Sequence, residues 1–288
     1  MKSAPFTYHA PCTIDEATAL LNNLSAQDAY VLAGGQSLVP AMALRLARPN
    51  HLIDINGITG LDDVIASDQD LVIGALVRHA RFQSPQGLGP LAGPLCDVVQ
   101  HIAHYPIRQR GTFCGSLVHC DPSSEWCLVA ATFDGVVTLA KVGGRREVDI
   151  SEFFMGTMTT AVEADELVTQ VRLQQISATA CWGFEEFAMR AGDFAVAMAL
   201  VTFDVADGVV RDARIGIGGV EATPRRIEAG EAAVNGVALD GADFTKVGDI
   251  VAQEIVPLDD WQASGDERRS LANVLVVRAL QRAKQESS

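Results

Sequence analysis

Apolar residues at Ala17, Leu20, Leu21 and Leu24 recur at helical spacing, which predicts a helix over residues 15–24 with Thr13 as its N-cap. A short apolar run over residues 30–33 leads straight into Gly34-Gly35 and reads as a strand ending in a turn. Pro40 opens a short helix through Leu46, and residues 51–55 (HLIDI) read as a second strand. The chain thus begins with a compact strand, turn, helix and strand.

From Leu61 the pattern changes. Residues 64–66 and 71–76 are strand-like on either side of the polar stretch Ser67-Asp68-Gln69-Asp70, as in a hairpin. Residues 91–103 have the spacing of an amphipathic helix that stops before Tyr105-Pro106, where the chain looks strained. A glycine-rich stretch over residues 110–116 is read as a second turn. A helix over residues 126–133, two strands flanking Gly143-Gly144 and a strand over residues 167–173 follow. The weakly patterned residues 174–179 mark a boundary. Beyond it, residues 184–189, 196–205 and 209–220 form three strand-like runs, the last two joined by the hairpin signal Asp207-Gly208. Two or three helices close the chain, the last over residues 266–284, with acidic residues early and basic residues late, as the helix dipole favours. These elements predict an α+β fold.

Composition narrows the function classes. With 288 residues, 48% of them hydrophobic, the chain can bury one large core or two smaller ones. A net charge of -14 argues against a nucleic-acid partner. The N-terminal stretch reads as neither signal nor transit peptide. No run approaches the roughly 18 apolar residues of a membrane span, so a cytoplasmic protein is expected. Cys12, Cys96, Cys114, Cys120, Cys127 and Cys181 contain no C-x-x-C pair and fit neither zinc nor iron–sulfur spacing; free thiols of a reducing compartment are expected. His101 and His104 read as polar caps of one helix end, with no third ligand to make a metal site.

Two stretches carry chemistry. In Ala33-Gly34-Gly35-Gln36-Ser37-Leu38 a strand ends in two glycines before a helix start, so backbone N–H groups can converge on an anion without a Cβ in the way. A plain strand-to-helix turn would look the same. The second stretch, residues 107–117 (IRQRGTFCGSL), offers the hydroxyls of Thr112 and Ser116, two glycines and two arginines. Two such turns, about 75 residues apart, could clamp a pyrophosphate from both sides. Neither G-x-G-x-x-G nor G-x-x-x-x-G-K-[ST] occurs, and nothing has the form of a hydrolytic triad.

The ordered set A-G-G-Q-S-L-x-P, H-L-I-D-I, I-R-x-R-G-T-x-x-G-S-L-x-H-x-D-P and G-D-F-A-x-A resembles the FAD-binding medium subunit of the xanthine dehydrogenase/carbon monoxide dehydrogenase family, over nearly the whole chain. The resemblance implies a PCMH-type FAD domain over residues 1–176, in subdomains of about 1–58 and 59–176. A C-terminal domain over 177–288, a three-stranded antiparallel sheet packed with helices, should follow. It implies that Leu32, Ala33, Gly34, Gly35, Gln36, Ser37 and Leu38 wrap the FAD diphosphate, and that Thr112, Cys114, Gly115 and Ser116 meet the diphosphate and flavin side. Glu125 would hold the adenosine ribose, Phe194 would lie near the isoalloxazine ring, and main-chain groups near Ile102 and Leu167 would add contacts.

Cys114 departs from the family pattern, which has a glycine there. If that glycine has positive φ, Cys114 carries strain; if it has ordinary β geometry, a small side chain fits. A covalent flavin link through Cys114 would need an activated thiolate. The resemblance further implies an electron-transfer subunit. It would take electrons from 2Fe-2S clusters of a small subunit, while a large molybdenum-pterin subunit hydroxylates a heteroaromatic, aldehyde, purine or carbon monoxide. The assembly would be a dimer of heterotrimers. A free-standing FAD-dependent oxidase and a flavin-free scaffold subunit are the competing readings.

Overall fold

The computed structural model describes residues 2–286. Its elements in chain order are β1 (Thr7–His9), α1 (Ile14–Leu24), β2 (Ala29–Leu32), α2 (Leu38–Ala43), β3 (His51–Asp54), β4 (Val64–Ala66), β5 (Asp70–Gly74), α3 (Ala92–His101), α4 (Tyr105–Arg108), α5 (Phe113–His119) and α6 (Glu125–Thr132). They continue as β6 (Val136–Lys141), β7 (Gly144–Asp149), α7 (Ile150–Phe153), β8 (Phe154–Gly156), β9 (Thr159–Thr160), β10 (Leu167–Gln174), β11 (Cys181–Ala188), β12 (Ala195–Ala206), β13 (Val209–Gly218), β14 (Arg225–Arg226), α8 (Glu228–Val234), α9 (Phe244–Glu254) and α10 (Gly265–Glu286). Among the described residues no helix is long and apolar enough to cross a membrane.

Three parallel strands in the order β1-β3-β2 form the first sheet. Thr13 caps α1, its hydroxyl accepting from Glu16 N at 3.1 Å while Glu16 Oε2 reaches back to Cys12 N at 2.7 Å. β1 is invisible to hydrophobic patterning, because Thr-Tyr-His is largely exposed and joins the sheet only by pairing with β3. α2 starts at Leu38, two residues before Pro40; proline is tolerated there because first-turn N–H groups have no partner inside the helix.

The second unit is an antiparallel sheet in the order β4-β5-β10-β6-β7. Leu71, Ile73, Val137 and Val171 of that sheet share one buried core with Leu95 and Val98 of α3, Phe113 and Leu117 of α5, and Trp126 of α6. Tyr105-Pro106, expected to be strained, instead opens α4, with Pro106 in its first turn. His101 and His104 do not share a helix end: α3 stops at His101, Ala103 has a φ of 42°, and His104 is the N-cap of α4.

The third unit pairs β11-β12-β13-β14, so the two-residue β14 adds a short fourth strand to the three expected. α10 buries Ala272, Leu275, Val276, Ala279, Leu280 and Ala283, at helical spacing, in the core beneath this sheet. Its Arg268, only 1% exposed, donates to Val196 O at 2.7 Å and grips both carboxylate oxygens of Asp260 at 2.8 Å.

α6 joins the second and third units. All eight of its residues are buried. On one side Trp126 packs against Phe82 and Phe113; on the other, a Cβ added at Gly216 of β13 would stand 1.9 Å from Thr132 Oγ1. Only a glycine lets β13 approach that closely.

Candidate cofactor site

The two glycine turns meet. A Cβ built on Gly34 would lie 2.4 Å from Arg110 O, 2.7 Å from Gly111 Cα and 3.0 Å from Thr112 N, all backbone atoms that cannot rotate aside. Gly35, with a φ of 72°, takes the left-handed conformation that turns the chain from β2 into α2. Among the described residues, the N–H groups of Gly34, Gly35, Gln36 and Ser37 find no acceptor. Exposed or not, such a row of unpaired donors is what an anion needs.

Each turn is braced from outside. Asn56, just past β3, donates from Nδ2 to Ala33 O at 2.9 Å and to Asp54 Oδ1 at 2.6 Å. Tyr8 donates its hydroxyl to Asp54 Oδ2 at 2.6 Å. Arg78, on the segment after β5, donates to both Asn56 Oδ1 and Arg110 O, tying the first sheet to the second turn. His79 N donates to Gly111 O at 2.9 Å and Phe113 N to Val77 O at 3.0 Å, so the second turn is laced to residues 77–79. Beside this junction, Asn56 and Ile58 on one side and Val77 and Arg78 on the other line a cavity of about 380 Å³. A second cavity of about 520 Å³, between residues 174–177 and the C-terminal sheet, is lined by none of the residues the sequence nominates.

The second turn is more helical than its glycines suggest. Thr112 is the N-cap of α5, its Oγ1 accepting from Gly115 N at 3.1 Å. Cys114 therefore has helical backbone, neither left-handed nor extended, and is absent from the positive-φ positions. Its side chain points inward, with Sγ 3.7 Å from Ile73 O and 3.8 Å from Gly74 O. Burial pushes its thiol up to about 12, so it is a small core residue and not a nucleophile at neutral pH. The strained residue of this stretch is Cys120, the C-cap of α5, with a φ of 52°.

Some of the remaining nominated residues lie on other elements. Glu125 is the first residue of α6 and only 8% exposed; burial, with Asp121 nearby, pushes its carboxyl up to about 7 against the pull of a backbone N–H. Ile102 has its side chain in the core, and its carbonyl accepts from Arg108 at 2.8 Å. Leu167 is turned into the core at the start of β10. Phe194, 61% exposed, stands before β12 beyond Gly192, which packs against His104. Leu32, Gln36, Leu38 and Ser116 flank the two turns, with Gln36 Nε2 donating to Gly34 O at 3.1 Å.

Sequence reasoning missed Asp54, Asn56, Arg78, His79 and Trp126. The D-I-N stretch leaving β3 resembles any turn, and the partners of Arg78 lie more than 20 positions away in each direction. The meeting turns offer unpaired N–H donors, with arginines beside them, to an anion. They present no activated nucleophile.

The chain matches two family models in succession. Residues 4–174 match the FAD binding domain in molybdopterin dehydrogenase, and residues 182–283 match the CO dehydrogenase flavoprotein C-terminal domain. It is 33% identical to the nicotine 6-hydroxylase medium subunit of Paenarthrobacter nicotinovorans, over 97% of this chain and 98% of the relative. It is also 33% identical to the carbon monoxide dehydrogenase medium chain of Hydrogenophaga pseudoflava, over 96% of each. Among solved structures, carbon monoxide dehydrogenase from H. pseudoflava superposes with a TM-score of 0.93 at 34% identity, covering 100% of both chains. Quinoline 2-oxidoreductase from Pseudomonas putida 86 gives 0.93 at 31% identity, covering 100% of this chain and 99% of that one. The chain belongs to the FAD-binding medium subunits of the molybdenum-hydroxylase family.

Proposed function

We propose that the clamp formed by the Gly34–Ser37 turn and the Thr112–Ser116 turn holds the FAD diphosphate. The observation that carries this is the backbone contact at Gly34, which sets a row of unpaired N–H groups against a second glycine turn. Leu32, Ala33 and Leu38 shape the first turn. In the second, Gly115, its N–H held by Thr112 Oγ1, allows close approach and Ser116 supplies its hydroxyl, with Cys114 as packing beneath. Glu125, buried and without a basic partner among the described residues, accepts from the adenosine hydroxyls, an arrangement that relieves an otherwise costly interior carboxyl. Phe194 covers the isoalloxazine ring, and main-chain groups near Ile102 and Leu167 complete the contacts.

Bound FAD supplies the ability to take up electrons singly and pass them on, joining one-electron centres to a two-electron acceptor. The protein fixes its place and excludes water from the diphosphate. Electrons arrive from 2Fe-2S clusters of a small partner subunit, and substrate is hydroxylated at the molybdenum-pterin centre of a large one. We place the subunit in a dimer of heterotrimers in the cytoplasm, where its six free cysteines would stay reduced. Substrate choice resides in the large subunit, which fits the variety of activities named for the relatives, from nicotine to caffeine to carbon monoxide.

Purification of the chain by itself tests this reading. It should carry about one FAD, contain no iron and lack hydroxylase activity. Hydroxylation by the isolated chain, or a purified chain that neither holds nor takes up flavin, would overturn it.

A further inference from the structure

His79 is 5% exposed, and the fully buried Trp126 donates its indole N–H to His79 Nδ1 at 2.8 Å. An indole nitrogen can only donate, so Nδ1 must accept and the ring proton must sit on Nε2. The lock is stiff: Trp126 is itself wedged between Phe82, at 4.9 Å between ring centroids, and Phe113, at 4.8 Å. Burial, and then the positive charges of Arg78 and Arg108, hold the imidazole down to about 4, so it is neutral across the physiological range. Nε2 faces the second turn, where a Cβ added at Gly111 would stand 2.3 Å from it. Among the described residues Nε2–H has no acceptor, although the main chain of His79 is already bonded to Gly111 O. A buried ring whose one nitrogen is fixed by a buried partner, and whose other is aimed at the second turn without a partner, is an oriented donor.

We propose that His79 is a further binding residue of the cofactor clamp, held by Trp126 as its Nε2–H tautomer so that this N–H donates to the FAD diphosphate. The proposal rests on the reading of the two turns as the diphosphate site. Arg78 and Arg108, which face the same ring, and Arg110 in the adjoining turn carry the charge. His79 adds direction.

The test uses the purified chain stripped of flavin, with FAD and ADP as titrants. His79→Asn places an acceptor near the Nδ1 position for Trp126 but removes the Nε2 donor. It should fold with unchanged thermal stability and bind FAD about 10- to 100-fold more weakly, the range expected for one hydrogen bond to a charged group. The same factor should appear with ADP, which carries the diphosphate without the flavin. His79→Gln, whose amide reaches the Nε2 position, should recover part of the loss. Nitrogen chemical shifts of the wild-type chain at pH 7 should show one histidine with a pure Nε2–H tautomer, and Trp126→Phe should convert it to a mixture. FAD and ADP affinity within twofold of wild type in His79→Asn, or an Nδ1–H or doubly protonated His79 ring, would overturn the proposal. A wild-type chain that binds neither titrant would instead refute the diphosphate reading itself.

Discussion

Replacing Glu186 by glutamine should stabilise the flavin-free protein, by an amount that grows from about pH 5 upward and levels off above pH 8. Glu186 lies on β11 with its side chain 4% exposed. Its Oε2 is buried without a partner, and Oε1 lies 3.9 Å from His101 Nδ1. At pH 7 and above His101 offers no positive charge, since burial holds its imidazole below the ordinary range and its ring is packed edge-on to Phe184. Burial, and then the nearby Glu125, push the Glu186 carboxyl from 4.5 up to about 8. Below pH 4.5 the group is neutral in both folded and unfolded chains and has no effect. As pH rises toward 8 the unfolded chain ionises it while the folded chain does not, so stability falls steadily and levels off once the folded group ionises too. At about 1.4 kcal/mol per pKa unit, the accumulated loss is roughly 5 kcal/mol. Glu186→Gln removes that loss, and at about 2 °C per kcal/mol for a chain of this size it should raise Tm by roughly 10 °C at pH 8.5. At pH 5 the two proteins should melt within about 2 °C of each other. Calorimetry at the two pH values decides it. An equal change at both, or a loss of stability at pH 5, would show that Glu186 is ionised and paired with a protonated His101, and the reasoning would fail.

Gly34→Ala forces a methyl into Arg110 O and Gly111 Cα, so the turns must part; a strain of about 1–3 kcal/mol should weaken FAD binding roughly 10- to 100-fold, measured by flavin fluorescence titration. Unchanged affinity would mean that the contact between the turns is dispensable. Cys120→Gly removes a left-handed non-glycine residue and should raise stability by about 1 kcal/mol in urea unfolding; a loss would show that the Sγ contact with Gly156 O outweighs the backbone relief. The Cys114 thiol, buried and pushed up to about 12, should resist iodoacetamide in the native protein at pH 8, and denaturation should release all the FAD; label or residual flavin on the Cys114 peptide in mass spectra would contradict its inward placement.

The two turns were legible because they combine unmistakable local signals: β2 runs into paired glycines, and the hydroxyl-glycine pattern of residues 112–116 repeats the same logic. Their meeting was not, since nothing near Gly34 announces Arg110. Hydrophobic period found α1, α10 and the long strands β12 and β13, whose one-sided or continuous burial writes itself into the residue order. It missed β1 and β14, which exist by pairing and bury little. It misread α5 because two glycines within seven residues look like loop, although Thr112 three positions before Gly115 has N-cap spacing. At Cys114 both readings entertained from sequence assumed a loop; the helix supplies a third geometry that neither anticipated. Asn56, Arg78 and His79 stayed hidden for a different reason: their roles are set by partners contributed from remote parts of the chain, and a single sequence does not record such pairings.

The helix α6 makes the apparent seam of this chain misleading. Two family signatures end and begin within residues 174–182, as if two modules had been joined end to end. Yet the second module leans on a helix that belongs to the first, through contacts such as Gly216 on Thr132. Grafting either module onto a relative's other half would therefore bring together surfaces that had never adapted to one another. Chimeras made at the linker should express poorly unless α6 travels with the C-terminal sheet. Residue changes on this helix are expected to arise in concert with changes in β13, making the pair a unit of inheritance that the order of domains along the chain does not reveal.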